Sequence, residues 1–153
     1  MEVSDLPGID WLNSASETQA VHESRAFYGA TDRPSDGYKK LAAWQVGMDL
    51  VAECYRLISH FPSTEIYGLT QQLRRAAVSV TLNIAEGWGR NSKAEFARFC
   101  DISRGSLHEV DAAIEVAIRL GYLTSEDAEE VNSLFRRVGT MLLNLTKSLR
   151  KAT

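Results

Sequence analysis

From residue 38 onward, apolar residues recur at steps of three and four. That is the spacing of one face of an α-helix. Leu41, Trp44, Met48, Val51, Tyr55 and Ile58 predict a first helix over about residues 38–61. Pro62 stops it, because proline lacks the amide hydrogen and pushes its predecessor out of the α region. Leu69, Leu73, Ala76, Val80, Asn83 and Gly87 make a narrow stripe on a second helix, the form of a bundle seam. Phe96, Phe99, Ser103, Ser106, Val110, Ala113 and Ala117 do the same over 93–120, where Ser103, Gly105 and Ser106 allow a close crossing. Val131, Leu134, Val138, Met141, Leu145 and Leu149 mark a fourth helix. Gly47 sits inside the first helix, where glycine costs about 1 kcal/mol against alanine; close approach of another backbone would explain it.

The punctuation agrees with this pattern. The second helix starts between Ser63 and Leu69 and ends at Gly87-Trp88-Gly89, a glycine stop. Ser92 and Glu95 form a capping box for the third, and Gly121 ends it. Thr124 caps the fourth, whose early acids and late bases (Lys147, Arg150, Lys151) suit the helix dipole. No alternating run lies between hairpin turns, so no strand is expected. Helices of about 22–28 residues joined by short turns predict an all-α fold, an antiparallel up-down-up-down four-helix bundle roughly 35–40 Å long. The bundle occupies residues 38–153, and residues 1–37 form an N-terminal extension.

Charge divides the same way. The net charge of -3 splits into -5 for residues 1–37 and +2 for the remainder. The leader is rich in turn residues and holds Trp11, Leu12, Phe27 and Tyr28, with a short helix across 15–28 as its one candidate element. It reads either as a flexible acidic extension or as an arm that docks those aromatics on its own bundle or on a neighbouring subunit. Cys54 and Cys100 lack partners at metal or redox spacing and read as buried free thiols in a reducing compartment. Neither a signal peptide nor a stretch of about 20 apolar residues is present, so a cytoplasmic protein without a membrane partner is expected.

Polar residues crowd the second helix. In an antiparallel hairpin turning near residues 90–91, Gln72, Arg75, Ser79, Ser106 and Glu109 fall at neighbouring heights, with Arg75 and Glu109 as a cross-helix pair. Asn83, Glu86 and Arg98 would make a second layer. One reading is structural: polar groups satisfy one another and fix register. The other makes Arg74, Arg75, Arg90, Lys93, Arg98 and Arg104 a phosphate-facing surface, since the guanidinium fork meets phosphate oxygens in pairs. Trp88 would then stack on a base, or else pack against the bundle end or a neighbouring subunit. Catalysis has little support. His22, His60 and His108 are scattered, the Glu-x-x-His signature of di-iron bundles is absent, and no phosphate-binding loop or nucleophile elbow occurs. No metal or cofactor is expected. Trp88, Ile102, Tyr122, Leu123, Phe135 and Leu142 lie off the seams, and outward apolar residues of this kind point to a homo-oligomer.

Residues 41–151 resemble a known family. The residues that carry the likeness are Trp44-Gln45, Phe61-Pro62-Ser63-Thr64-Glu65-Ile66-Tyr67-Gly68-Leu69 and Gln72-Leu73-Arg74-Arg75-Ala76-Ala77-Val78-Ser79-Val80. Asn83-Ile84-Ala85-Glu86-Gly87, Phe96, Phe99, Gly105-Ser106-Leu107 and Glu109 complete it. The family is that of the four-helix-bundle proteins related to those encoded in intervening sequences of bacterial 23S ribosomal RNA genes. The resemblance implies a bundle, in some members a ring of five, and a role beside RNA or the ribosome. Accessory proteins of diversity-generating retroelements look like the same bundle and bind RNA. Two functions are thus expected: an oligomeric, non-catalytic scaffold binding RNA or DNA, or a homo-oligomeric adaptor for protein partners. The leader falls outside the likeness.

Overall fold

A computed structural model describes residues 35–151. The expectations placed on residues 1–34, including the short helix across 15–28, lie outside the described residues. Four α-helices and no strand occur among the described residues: α1 (Ala42–Ile58), α2 (Leu69–Trp88), α3 (Lys93–Arg119) and α4 (Glu129–Lys151). A 3-10 turn, Gly37–Lys40, precedes α1, and another, Ser63–Glu65, leads into α2.

The ends of the helices follow local chemistry. α1 has only 17 residues, fewer than its pattern suggested. Ahead of Pro62 the backbone tightens to three-residue hydrogen bonds, from Ser59, His60 and Phe61 back to Arg56, Leu57 and Ile58. At the start of α3 the Ser92 hydroxyl accepts the Glu95 N–H at 3.1 Å, the capping bond its sequence predicts. α4 begins later than expected because Thr124 and Asp127 close a turn of their own. Asp127 Oδ2 accepts the Thr124 N–H at 2.8 Å, and the Thr124 hydroxyl accepts the Asp127 N–H at 3.1 Å. The backbone hydrogen bond from Thr124 holds the Asp127 carboxyl below the usual carboxylate range. Gly121 ends α3 with φ 78°, a conformation open to glycine. Gly89, by contrast, stays right-handed at φ -73°, so α2 does not end on a left-handed glycine.

Cross-helix contacts pair rising residue numbers with falling ones. Thr81 and Val80 lie against Gly47, and the Arg74 guanidinium lies over the Tyr55 ring, which sets α2 antiparallel to α1. Ser79 meets Ser106 and Gly87 meets Phe96, so α3 runs back along α2. Asp101 bonds Arg150 and His108 packs on Phe135, so α4 runs back along α3. α1 in turn packs against α4, closing a square in which each helix touches its two neighbours.

The core corrects the sequence reading of α1. Ala43, Val46, Leu50, Cys54 and Leu57 are buried, whereas Met48 and Tyr55 are 41% and 47% exposed. The helix carries two apolar stripes side by side, and the one with the smaller residues faces inward. In α4 the buried stripe passes through Leu142 rather than Met141, because a three-four repeat drifts around a 3.6-residue helix. Trp88, Leu123 and Leu142, expected to face outward, are all buried, while Ile102 is exposed and Tyr122 and Phe135 are partly covered. Trp88 plugs one end of the bundle: its ring meets Phe96 edge-on at 6.2 Å and lies directly under Gly37. At the opposite end one carboxylate ties two loops. Glu65 Oε2 accepts the Leu69 N–H at 2.9 Å, and Oε1 accepts the Tyr122 hydroxyl at 3.0 Å.

α2 and α3 make the closest contact. A Cβ on Gly87 would stand 2.5 Å from the Phe96 ring and 2.8 Å from Phe99 Cβ. Gly105 faces open space and takes no part in the crossing, contrary to expectation. Gly47 is approached by the Thr81 side chain, not by a backbone. Cys54 and Cys100 are free and buried, and burial raises both thiols to about 12.

Two predictions follow from this packing. Gly87→Ala lowers stability by about 1–3 kcal/mol through overpacking, whereas Gly105→Ala raises it by about 0.5–1 kcal/mol, because it only stiffens an exposed helix; urea unfolding of both variants measures this. Native protein at pH 8 reacts with no thiol reagent, and denatured protein reacts at both cysteines. The unfolded chain releases the thiol protons near pH 9, below the folded values of about 12, so stability falls as pH rises through that window.

Candidate nucleic-acid interface

The polar residues of α2 form a smaller cluster than the sequence suggested. Asn83 Nδ2 donates to the Ser79 carbonyl at 2.8 Å and to the Ser79 hydroxyl at 3.0 Å. Ser79 and Ser106 share a hydrogen bond of 2.8 Å, and the Ser106 hydroxyl reaches the Ile102 carbonyl at 3.3 Å. A single direction of donation, Asn83 to Ser79 to Ser106 to Ile102, satisfies the whole chain. One turn away the buried Ser103 hydroxyl donates to the Val80 carbonyl at 2.7 Å. Gln72, Arg75 and Glu109 are exposed, and no ion pair joins Arg75 to Glu109 among the described residues. Their heights match, but each side chain leaves its helix on the solvent side. Glu86 pairs with Arg90 in the turn that follows its helix rather than with Arg98.

The six basic residues expected to face phosphate do not form one surface. Arg74 and Arg75 lie toward the start of α2, and Arg74 is partly buried against Tyr55, 5.7 Å from the ring centroid. Arg104 lies 3.6 Å from Asp101, on the flank that meets α4. Arg90, Lys93 and Arg98 gather at the α2–α3 turn. Arg90 and Arg98 place their guanidiniums 4.8 and 5.0 Å from the centroid of the buried Phe99 ring. Such contacts hold a guanidinium in place without neutralising it, although Glu86 also pairs with Arg90. Trp88 is buried beneath this turn and offers no face for a base.

Antiparallel packing brings other bases to the same end. The 3-10 turn with Lys39 and Lys40 sits there through Gly37 and Trp88, and the end of α4 arrives through Arg150, whose guanidinium meets Asp101 at 2.5 Å. Lys147 and Lys151 accompany it. This end of the bundle therefore holds eight bases, with four acids: Asp36, Glu86, Glu95 and Asp101. The opposite end reverses the balance. Glu53, Glu65, Glu115, Glu126, Asp127, Glu129 and Glu130 outnumber Arg56, Arg74, Arg75 and Arg119 there. The bundle is electrically polar along its length. Five of the bases at the positive end escaped the sequence reading, because they sit on segments distant in the chain. A signal existed: Lys39 and Lys40 just precede α1 and Lys93 opens α3, where the dipole disfavours positive charge.

The family described as 23S rRNA-intervening sequence protein matches residues 39–144. The chain belongs to this family. The match covers all of α1 to α3 and most of α4, and leaves out the leader. Comparison with curated proteins gives no match. Among the described residues, no helix of this family member is long and apolar enough to cross a membrane.

Membership of the polar cluster separates one residue from its neighbours in a stability test. Asn83→Ala leaves Ser79 without its donor and costs about 1–2 kcal/mol, whereas Gln72→Ala and Glu109→Ala, both at exposed positions, stay within about 0.5 kcal/mol of the parent. Denaturant titration of the three variants gives the comparison.

Proposed function

We propose that the positive end of the bundle binds RNA through its phosphates, in a non-catalytic, cytoplasmic scaffold protein. The observation that carries this reading is the gathering of eight bases at one end of a chain whose net charge is negative. Bases from three separate segments give a broad footprint rather than one charged stripe, and the arginines seated on Phe99 are pre-positioned at its centre. Phosphate contacts of this kind supply affinity without reading sequence. The family's description, tied to an intervening sequence of 23S rRNA, supports an rRNA-associated role. DNA is the alternative polyanion. The polar cluster of Asn83, Ser79 and Ser106 serves register in this reading, and no cofactor or metal takes part.

A second reading is an adaptor that assembles with copies of itself, as the five-fold rings implied by resemblance would require. Ile102, Val116 and Leu120 favour it, since they are exposed at 40%, 46% and 53% along one side of α3.

Binding of a ribosomal RNA fragment, measured at several salt concentrations, tests the first reading. Affinity should fall as salt rises. Lys93→Gln, Arg98→Gln or Lys147→Gln should each weaken binding and flatten the salt slope by about one ion. Arg119→Gln, at the negative end, should change neither. Binding that is absent at low salt sinks the proposal. Light scattering of the Ile102→Asp variant tests the second, with a drop in mass expected.

A further inference from the structure

The stripe that α1 does not bury remains to be accounted for. Leu41, Trp44, Met48, Val51 and Tyr55 run down the outside of α1, beside α2. Gly47 meets Val80 and Thr81, and Tyr55 meets Arg74, so Met48 and Val51 lie within about one turn of the heights of Leu82 and Val78. Leu82 is 62% exposed. The two helices thus present one apolar strip about 20 Å long, at 1.5 Å per residue. No aspartate or glutamate occupies positions 41, 44, 45, 48, 51, 52 or 55 of α1, nor 71, 74, 75, 78, 82 or 85 of α2. The charges along the strip are Arg74 and Arg75 at one end, with Lys39 and Lys40 at the other.

We infer that this strip is the docking surface for the chain's own residues 1–34. Three observations select that occupant. The leader joins the bundle at the head of the strip, where the Tyr38 ring packs edge-on against Trp44 with centroids 5.3 Å apart. It carries six acids and two bases, opposite in sign to both ends of the strip, and four large apolar groups, Trp11, Leu12, Phe27 and Tyr28. Its length is ample, because even six extended residues span about 20 Å. A second copy fits less well. A two-fold pairing of strip on strip would set base on base with no acid between, whereas a tethered segment acts at an effective concentration in the millimolar range. The inference does not depend on RNA binding at the positive end.

Limited trypsin digestion of the full chain, followed at Arg25, tests it; Arg33 precedes Pro34 and is not a trypsin site. In the parent, cleavage at Arg25 should be slow, and its rate the same across a hundredfold range of protein concentration. Leu82→Glu, a change at an exposed position that keeps the helical melt, should speed cleavage by about tenfold or more. Asp10→Asn with Glu17→Gln, which leaves the bundle untouched, should speed it as well. Cleavage in the parent as fast as in urea-unfolded chain overturns the inference. Protection that grows with concentration, with a fall in mass for Leu82→Glu by light scattering, assigns the strip to a second copy and overturns it too.

Discussion

The close contact of α2 with α3 governs this structure. Gly87 has no Cβ to meet the Phe96 ring, and Ser103 and Ser106 are small enough to let the backbones approach. The Ser103 hydroxyl then reaches the Val80 carbonyl, and the Asn83–Ser79–Ser106 chain closes beside it. Apolar packing alone would tolerate a slide of one turn, since alanine and valine repeat along both seams. The hydrogen bonds do not tolerate it, because a slide would leave partly buried hydroxyls without partners. The polar atoms therefore act mainly on specificity, and apolar burial supplies most of the stability.

Register, in turn, sets the electrostatics. Once the α2–α3 hairpin is fixed, the short connections decide which helix ends lie together. The starts of α1 and α3 share an end with the finishes of α2 and α4. Bases then collect at that end and acids at the other, although no segment of the chain looks strongly charged by itself. Asp101 shows the coupling directly: it lies on α3, takes Arg104 from its own helix and Arg150 from α4, and so ties the end of α4 to the positive end.

Much of this fold was legible in the sequence. The seam of α3 was read residue by residue, and the Ser92 cap, the Gly121 stop and the α2–α3 hairpin all stand in the structure. The misreadings have separate causes. In α1 the larger side chains of Trp44, Met48 and Tyr55 drew the seam toward themselves, but a crowded centre accepts the smaller Ala43, Val46 and Cys54 instead. Periodicity shows that a face exists; volume decides which of two adjacent faces turns inward. Arg75 and Glu109 were paired by height alone, and height ignores the direction in which a side chain leaves its helix. The positive end was invisible for another reason, since it is a property of topology. Lys147, Arg150 and Lys151 look like ordinary partners for a helix dipole until Lys39, Lys93 and Arg98 are placed beside them.

The bundle's two caps differ in kind. At the positive end an indole and a phenyl ring make the seal, while at the negative end the Phe61–Tyr122 ring pair is joined by a carboxylate, Glu65, that clasps both an amide and the phenol. Solutes that strengthen apolar burial tighten the first seal. The second answers to the state of the Tyr122 hydroxyl, whose proton the hydrogen bond to Glu65 makes harder to remove. Strong alkali that strips that proton would set two negative charges face to face and loosen that loop contact, a route to opening that the Trp88 cap does not share.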